Sequence, residues 1–537
     1  MCDAETEDGQ SNEMEVSMSC TEADRSSSDG PAELHIYNLP SFIGVKQMKL
    51  CLRRFSVVPR KVITLKNHAY VTFAKKSDAD SAAAKLKDAH YKGRKLKVKR
   101  SCFADARPAK RIIENSSPKD INDVVTPLHA YPYEKQLKLK YDKCLETLIV
   151  NSVQIAKVCD EALPRCRYYG TLSSIVASPV ITGYRNKCEF TVGYKDGKPE
   201  VGFRLSRFKF GCEVEPPDRC LHVSDMMKAF VRAFKAYVSA SPWPPFSNEQ
   251  RNGVWRQIAV RSFLSDFMVI VTINPKELSP SDIDTIKTSL VANLFRNQAP
   301  DYRLTSLFLQ EIENASSDAQ AYELLDGCPY AYETIDKFRF RISPTSFFQT
   351  NSAGCAVLYK TVLDICCSYV PDHNSALLLD ICCGTGTIGI FLAEHFGRVV
   401  GIERTEAAVE DAIANAKGNR LSNCRFVCGD AEQAFEDVKR GNDLHLLGSQ
   451  TCVGVLDPPR AGLSAKLIAS IRSFENMQYL VYISCDLRAA LHNLMALCRR
   501  CSKRYCGKPF LLKKTVPVDM FPQTTHCETV MLFEHQR

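Results

Sequence analysis

The 537-residue chain is 45% hydrophobic and 24% charged, with 25 glycines and 26 prolines, proportions of soluble globular protein that exclude fibrous and low-complexity architectures. Its length predicts about three to four domains, and its longest apolar run, LLLDICCGTGTIGIFLA, is interrupted by Asp380 and by glycines and threonines, which excludes a membrane span. The formal net charge of +9 is uneven: residues 1–30 carry −8, residues 31–111 hold 20 Lys and Arg against 5 acids, and the remainder contributes +2.

Residues 1–30 are rich in Ser, Glu and Asp and poor in large apolar groups, so an acidic disordered tail is expected. The opening MCDAETEDGQSNEMEVS has neither a secretory nor a mitochondrial leader pattern, which predicts the cytosol or nucleus. The 24 cysteines are then expected to be reduced thiols, many of them at apolar positions such as Cys366, Cys367, Cys382 and Cys383, rather than a disulfide scaffold.

Residues 31–105 carry the basic charge, with six cations in YKGRKLKVKR alone, the electrostatic footprint of a nucleic-acid surface. Alternating apolar and polar residues predict strands at 33–39, 60–65, 68–74 and 94–100, with helices at 44–54 and 77–87 between them. This βαββαβ order resembles the RNA-recognition motif, with LHIYNL and KNHAYVTF at its two signature strands. The resemblance implies single-stranded RNA stacking on rings at His35, His68 and Tyr70. Asn67 stands where a glycine is expected, and protein binding through the helices is the alternative.

A linker is expected at 106–130, followed by a helix over 133–158 with apolar positions at Leu137, Tyr141, Leu145 and Leu148. Together with β-rich segments to residue 340, that helix makes up a predicted central RNA-binding region, 131–340. In CEFTVGYKDGKPEVGFR, Asp196-Gly197 between alternating runs predicts a tight hairpin. The cations Arg185 and Lys187 precede it and are candidates for holding RNA phosphates.

From about residue 376 strands alternate with helices, which predicts a doubly wound, mainly parallel sheet whose ligands bind beyond the carboxyl ends of its strands. LLDICCGTGTIG places Asp380 at a strand end, followed by Gly384 and Gly386 opening a helix, with Cys382 where a dinucleotide fingerprint has its first glycine. The next strands end in Glu403 and Asp430. Three successive strand-end acids resemble the S-adenosylmethionine site of class I methyltransferases, a Rossmann-like fold whose last strand is antiparallel and inserted beside the fifth. That resemblance assigns Glu403 to the ribose and Asp430 to the adenine side.

The fourth strand ends in Asp457-Pro-Pro-Arg460. The ring that follows the prolines in amino-group methyltransferases is absent, and so is the cysteine of RNA cytosine-5 methyltransferases. The fifth strand, YLVYIS, runs into Cys485 at a strand-to-helix turn, where a helix N-terminus favours thiolate. Glu528 opens the final strand, 43 residues on, and an antiparallel insertion would bring its start to the end of the fifth strand. A thiolate, a carboxylate and a methyl donor in one pocket are what pyrimidine carbon-5 methylation requires, with Cys485 as nucleophile and Glu528 as base.

FRFRISPTSFFQTN (338–351), DICCGTGTIG, DPPRAGL, YISCD and HCETV together resemble the RNA 5-methyluridine methyltransferase family over roughly residues 165–537, with the methyltransferase domain expected at 341–537. The resemblance implies S-adenosyl-L-methionine as cofactor, with Gln349 contacting it and Asp457 beside cofactor and uracil. It further implies tRNA as the partner, with the T-loop uridine at position 54 as substrate; methylation of other RNAs and an inactive RNA-binding or chaperone protein are the alternatives. Cys159 and Cys166 lack the spacing of the iron-sulfur cysteines carried by ribosomal-RNA relatives, and Cys498, Cys501 and Cys506 lack a second ligand pair, so no metal is expected.

Overall fold

The computed structural model describes residues 32–39, 45–64, 69–91, 94–101, 120–158, 169–205, 213–264, 266–298, 300–313, 322–440, 451–459, 462–502 and 505–536. The acidic tail, His68, Cys159, Cys166 and Arg460 lie outside these residues. The chain divides into two compact units, Met1–Ser117 and Pro118–Arg537.

The first unit contains β1 (Ala32–Tyr37), α1 (Val45–Arg54), β2 (Lys61–Thr64), β3 (Ala69–Phe73), α2 (Lys76–Leu86), the short strands β4 (His90–Tyr91) and β5 (Arg94–Lys95), and β6 (Lys97–Ser101). Its sheet has the order β2-β3-β1-β6 and is antiparallel throughout. The two-residue period of a strand sends Leu34 and Ile36 of β1 and Ala69, Val71 and Phe73 of β3 into the core. There they meet Met48 and Leu52 of α1 and Ala79, Ala82 and Leu86 of α2, spaced by three or four residues. The predicted last strand, 94–100, is in fact two pieces: β5 pairs back on β4, and only β6 joins the sheet.

The second unit begins with α3 (Ile121–Val125) and α4 (Tyr133–Val158). The expected linker therefore ends before Asp120, whose carboxylate caps α3 by accepting from the Asn122 amide at 3.0 Å. A seven-stranded sheet follows, built from β7 (Lys187–Lys195), β8 (Lys198–Arg204), β9 (Val214–Glu215), β10 (Trp255–Ser262), β11 (Phe267–Ile273), β12 (Ser306–Glu311) and β13 (Glu323–Gly327). Its order is β13-β12-β11-β10-β7-β8-β9, antiparallel except for β11 and β12. Asp196 and Gly197, with φ of 49° and 73°, form the predicted turn, in which two successive left-handed residues match the twist of the strands. The helices α5 (Asp225–Ala240) and α6 (Pro280–Leu290) share a core with this sheet, packing Phe230, Phe234 and Ile286 against Phe190, Ile258 and Val271.

Met268, Ile270 and Phe308 of the same sheet join a second core. It includes the hairpin β14 (Ala331–Ile335) and β15 (Phe338–Ile342) and the helix α7 (Ser352–Tyr369). The boundary expected at 340 thus cuts through β15, whose Arg339 and Arg341 amides donate to Asn419 and Asn415 of the C-terminal half.

That half alternates β16 (Leu377–Ile381), α8 (Thr387–Leu392), β17 (Arg398–Glu403), α9 (Glu406–Gly418), β18 (Cys424–Cys428), α10 (Ala431–Arg440), β19 (Cys452–Leu456), α11 (Ala465–Arg472), β20 (Met477–Ser484), α12 (Leu487–Cys498), β21 (Phe510–Val518) and β22 (Glu528–His535). Its sheet order is β18-β17-β16-β19-β20-β22-β21, and β22 is antiparallel to both of its neighbours. Leu377, Leu379 and Ile381 face one core and Leu378 the other, so both faces are covered and the strands read as unbroken apolar runs. The helices α7, α8 and α9 pack on one face; α10, α11, α12 and α4 pack on the other. α4 therefore belongs to this half rather than to the central sheet. Its most buried positions are Gln136, Lys140, Cys144, Thr147 and Leu148, while Leu137, Tyr141 and Leu145 are only half-buried.

Among the described cysteines all are free thiols; Cys366 and Cys383 are buried, Cys382 is half-buried and Cys367 is exposed.

Candidate active site

The strand order of the C-terminal sheet reverses between β16 and β19, the place where an open α/β sheet leaves a crevice beyond its strand ends. After β16 the chain turns through Cys382, Gly384 and Gly386, with φ of 65°, 56° and 77°. A Cβ on Gly386 would lie 2.8 Å from the Phe426 ring, whereas one on Gly384 would meet nothing within 4 Å. Gly386 is thus demanded by packing and backbone, and Gly384 faces open space. Asp380 is fully buried and accepts the Gly389 amide of α8 at 2.8 Å, bracing this turn. Its other oxygen has no partner among the described residues. Burial, with the nearby negative charges of Asp457 and Glu403, pushes Asp380 up to about 7.

That shift carries a sign. A carboxyl whose folded value lies near 7, above its ordinary 3.8, binds its proton more tightly in the folded chain. It favours folding most below the ordinary value, and the contribution fades as pH rises toward the folded one. Asp380→Asn, which keeps an acceptor for Gly389 but does not titrate, should show a flatter pH dependence of melting temperature across that window. Parallel wild-type and variant curves would contradict the assignment.

Glu403 ends β17 and is half-buried; its two oxygens accept the Gly384 amide at 3.2 Å and the Thr405 amide at 2.9 Å. Each oxygen retains a second acceptor position. Asp430 is exposed beyond β18 and caps α10 through the Glu432 amide at 2.9 Å. Asp457 follows β19, half-buried, and its Oδ2 accepts from the Gln349 side-chain amide at 3.2 Å. Burial raises the Asp457 carboxyl, and the Gln349 contact offsets part of that rise.

Gln349 sits in a rigid loop between β15 and α7. Arg261 of the central sheet donates to the Pro344 and Ser346 carbonyls at 3.1 and 2.6 Å. Asp411 of α9 accepts from the Ser343 amide and the Ser346 hydroxyl at 3.1 and 2.7 Å. Asn186 donates to the Gln349 carbonyl at 2.9 Å, and Asn351, which caps α7, donates to the Met520 carbonyl at 3.0 Å. Held at both ends, the loop turns Gln349 inward and leaves the Phe347 ring 69% exposed. Sequence reading missed Arg261, Asp411, Asn351 and Phe347, and it placed Asn186 only within the patch Arg185-Asn186-Lys187. Only the doubled Phe347-Phe348, one ring out and one buried, offered a signal for them.

Cys485 follows β20, half-buried, and lines a small cavity with Pro458, Pro459, Tyr482, Ser484 and Ala489. Asp486, rather than the thiol, caps α12, accepting the Arg488 and Ala489 amides at 2.9 and 3.4 Å. Glu528 opens β22 and is 4% exposed. The β20–β22 ladder ends at the pair Ser484 and Thr529, so Cys485, the next residue after β20, and Glu528, the residue before Thr529, come to the same edge of the sheet. The fold therefore brings Cys485, Glu528, Asp457 and Gln349 to one edge of the sheet, with Asp380, Gly384, Gly386, Glu403 and Asp430 beside them.

Arg185 and Lys187 lie where β7 begins. Arg185 bridges through its backbone to Val223 and Asn351, and its Nε donates to the Lys187 carbonyl at 2.9 Å. Lys187 forms an ion pair with Glu189 at 3.1 Å. In the first unit, His35 stacks on Tyr70 with ring centroids 4.0 Å apart and touches Tyr37 at 3.7 Å. Tyr70 is buried beneath that contact, and Tyr37 is a ring the sequence reading passed over. Lys97 and Lys99 pair with Tyr37 and His35 across the sheet.

A family model described as tRNA (Uracil-5-)-methyltransferase matches residues 333–536. The chain is 36% identical over 523 residues to tRNA (uracil-5-)-methyltransferase homolog A of Homo sapiens, covering 94% of this chain and 82% of that one. It is 36% identical over 441 residues to homolog B of the same organism, covering 78% of this chain and 85% of that one. Among solved structures, the Pyrococcus abyssi tRNA (uracil-54, C5)-methyltransferase in complex with S-adenosyl-L-homocysteine shares the fold, with a TM-score of 0.54 and 20% identity over 83% of this chain and 91% of that one. No helix among the described residues is long and apolar enough to cross a membrane. With its sheet order, its strand-end acids and this similarity along nearly its whole length, the chain belongs to the tRNA (uracil-5-)-methyltransferase family.

Proposed function

We propose that this protein transfers a methyl group from S-adenosylmethionine to carbon 5 of uridine in tRNA, at T-loop position 54, through a covalent adduct with Cys485. The observation that supports the reading is the antiparallel β20–β22 pairing, whose last pair, Ser484 and Thr529, adjoins Cys485 and Glu528 at the sheet edge where Gln349 donates to Asp457.

The residues present suit the donor. The partnerless buried oxygen of Asp380 and the open space at Gly384 mark a polar cradle beside Glu403. There Glu403 would take the ribose hydroxyls, Asp430 the adenine side, and Gln349 and Asp457 the amino-acid end. When bound, S-adenosylmethionine supplies an electrophilic methyl on a positively charged sulfur.

The Cys485 thiolate adds to carbon 6 of uracil; the carbon 5–carbon 6 π pair shifts toward carbon 4, and its carbonyl oxygen takes the negative charge. Carbon 5 would then take the methyl group that the bound donor supplies, the donor leaving as its neutral thioether. Glu528 removes the carbon-5 proton, the double bond re-forms, and the Cys485 thiolate leaves. The target base must first leave its stack in the folded T loop. The exposed Phe347 ring and the cations Arg185 and Lys187 are suited to hold that base and the adjoining phosphates. The basic first unit, in this reading an RNA-recognition motif, adds non-catalytic affinity for tRNA through His35, Tyr37, Lys97 and Lys99.

The test is methyl transfer from labelled donor into T-arm RNA. Label should appear as 5-methyluridine at position 54 and vanish when that uridine is replaced by cytidine. Label that persists after the replacement, or that enters only other RNAs, would contradict the assignment.

A further inference from the structure

Between β21 and β22 runs the loop Asp519–Cys527, and the strand it delivers begins with Glu528. On one side Glu528 pairs with Val518 of β21; on the other, its neighbour Thr529 pairs with Ser484. The loop itself is gripped from outside the sheet by α4. Lys140 forms an ion pair with Asp519 at 2.6 Å, with side chains 1% and 0% exposed, and also donates to the Phe521 carbonyl at 2.9 Å. The Tyr133 hydroxyl donates to the other Asp519 oxygen at 3.1 Å. Gln136 and Gln523 bond reciprocally, each contact 2.8 Å, and Lys143 donates to the Thr525 carbonyl at 3.1 Å. Tyr133, Gln136, Lys140 and Lys143 stand at the three- and four-residue spacing of a single helix face.

A buried ion pair is a poor source of stability, because desolvating both charges cancels most of their attraction, and apolar side chains of similar volume would serve as well. What it supplies is direction: a charged donor and acceptor hold each other to a narrow range of distance and angle. Every bond in this set ends on the loop that precedes Glu528, and Lys140 is too buried to touch RNA.

We infer that Lys140 and Gln136 are positioning residues that lock the Asp519–Cys527 loop so that Glu528 is aimed at the carbon-5 proton. The inference rests on Glu528 acting as the base. Its consequence is specific to one step: loosening the loop slows proton removal and leaves RNA binding and methyl transfer to the adduct in place.

The experiment compares full-length Lys140→Met, Lys140→Arg, Gln136→Leu and Glu528→Gln with wild type, using T-arm RNA carrying tritium at carbon 5. Lys140→Met should release tritium about tenfold or more slowly, since displacements near 1 Å can cost that much or more. The ratio kcat/KM for RNA, set by the steps up to methyl transfer, should stay within about twofold while kcat and KM fall together, and methylated RNA should accumulate bound to protein. Lys140→Arg should restore release. Should Lys140→Met fail to fold, Gln136→Leu, which keeps the Lys140–Asp519 pair and so leaves no buried charge unpaired, decides by the same readouts. A folded variant with wild-type release and no adduct overturns the proposal, as does slowed turnover without methylated adduct where Glu528→Gln accumulates it. Absence of adduct in Glu528→Gln instead overturns the base assignment, and this proposal with it.

Discussion

Removing the Cys485 thiol, in Cys485→Ala, is expected to abolish 5-methyluridine formation, lowering turnover at least about a thousandfold, as loss of a covalent nucleophile does elsewhere. Carbon 5 of uracil is too weak a nucleophile to take a methyl group unaided, and no donor geometry compensates for that. The side chain is half-buried at a turn whose shape is set by Asp486 and Ser484, so the melting temperature should barely change. Nucleoside mass spectrometry of reacted T-arm RNA checks the prediction. Substantial 5-methyluridine from the variant would refute the covalent route while leaving family membership untouched.

Glu528→Gln should fail later in the sequence. The amide keeps the size of the buried side chain but cannot take up a proton, so addition and methyl transfer proceed and elimination stalls. Turnover should fall about a hundredfold to ten-thousandfold, the range that a general base contributes, and RNA should migrate with the protein under denaturing conditions. The two variants therefore differ in kind: one forms no adduct, the other cannot release it.

Much of this site was legible in the sequence because strand ends are. Apolar runs closed by Asp380, Glu403, Asp457 and Cys485 mark where parallel strands finish, and an α/β sheet gathers those finishes at one edge. The antiparallel place of β22 came from resemblance rather than periodicity, and on it depended the expectation that Cys485 and Glu528 share one sheet edge. The misses share a physical cause. α7 is buried on most of its circumference, so SAGCAVLYKTVLDICCSY shows no clear stripe; β21 is broken by a register shift between Leu512 and Lys514 and carries Pro517. α4 deceived more deeply. Of its predicted apolar positions Leu148 is buried in the core, yet Leu137, Tyr141 and Leu145 are only half-buried, and toward its start the positions that dock are Gln136 and Lys140, whose partners lie almost four hundred residues away. Pairings at that distance leave no local pattern. The first unit was read element by element because its core is local, but the mutual stacking that buries Tyr70 depends on cross-strand register, which periodicity alone does not specify.

The most direct test of the chemistry is peptide mass spectrometry of the RNA-bound Glu528→Gln protein after nuclease and protease digestion. One modified peptide is expected, containing Cys485, whose added mass equals a nucleotide bearing a new methyl group. A nucleotide attached to any other cysteine, or attached without the methyl, would contradict it.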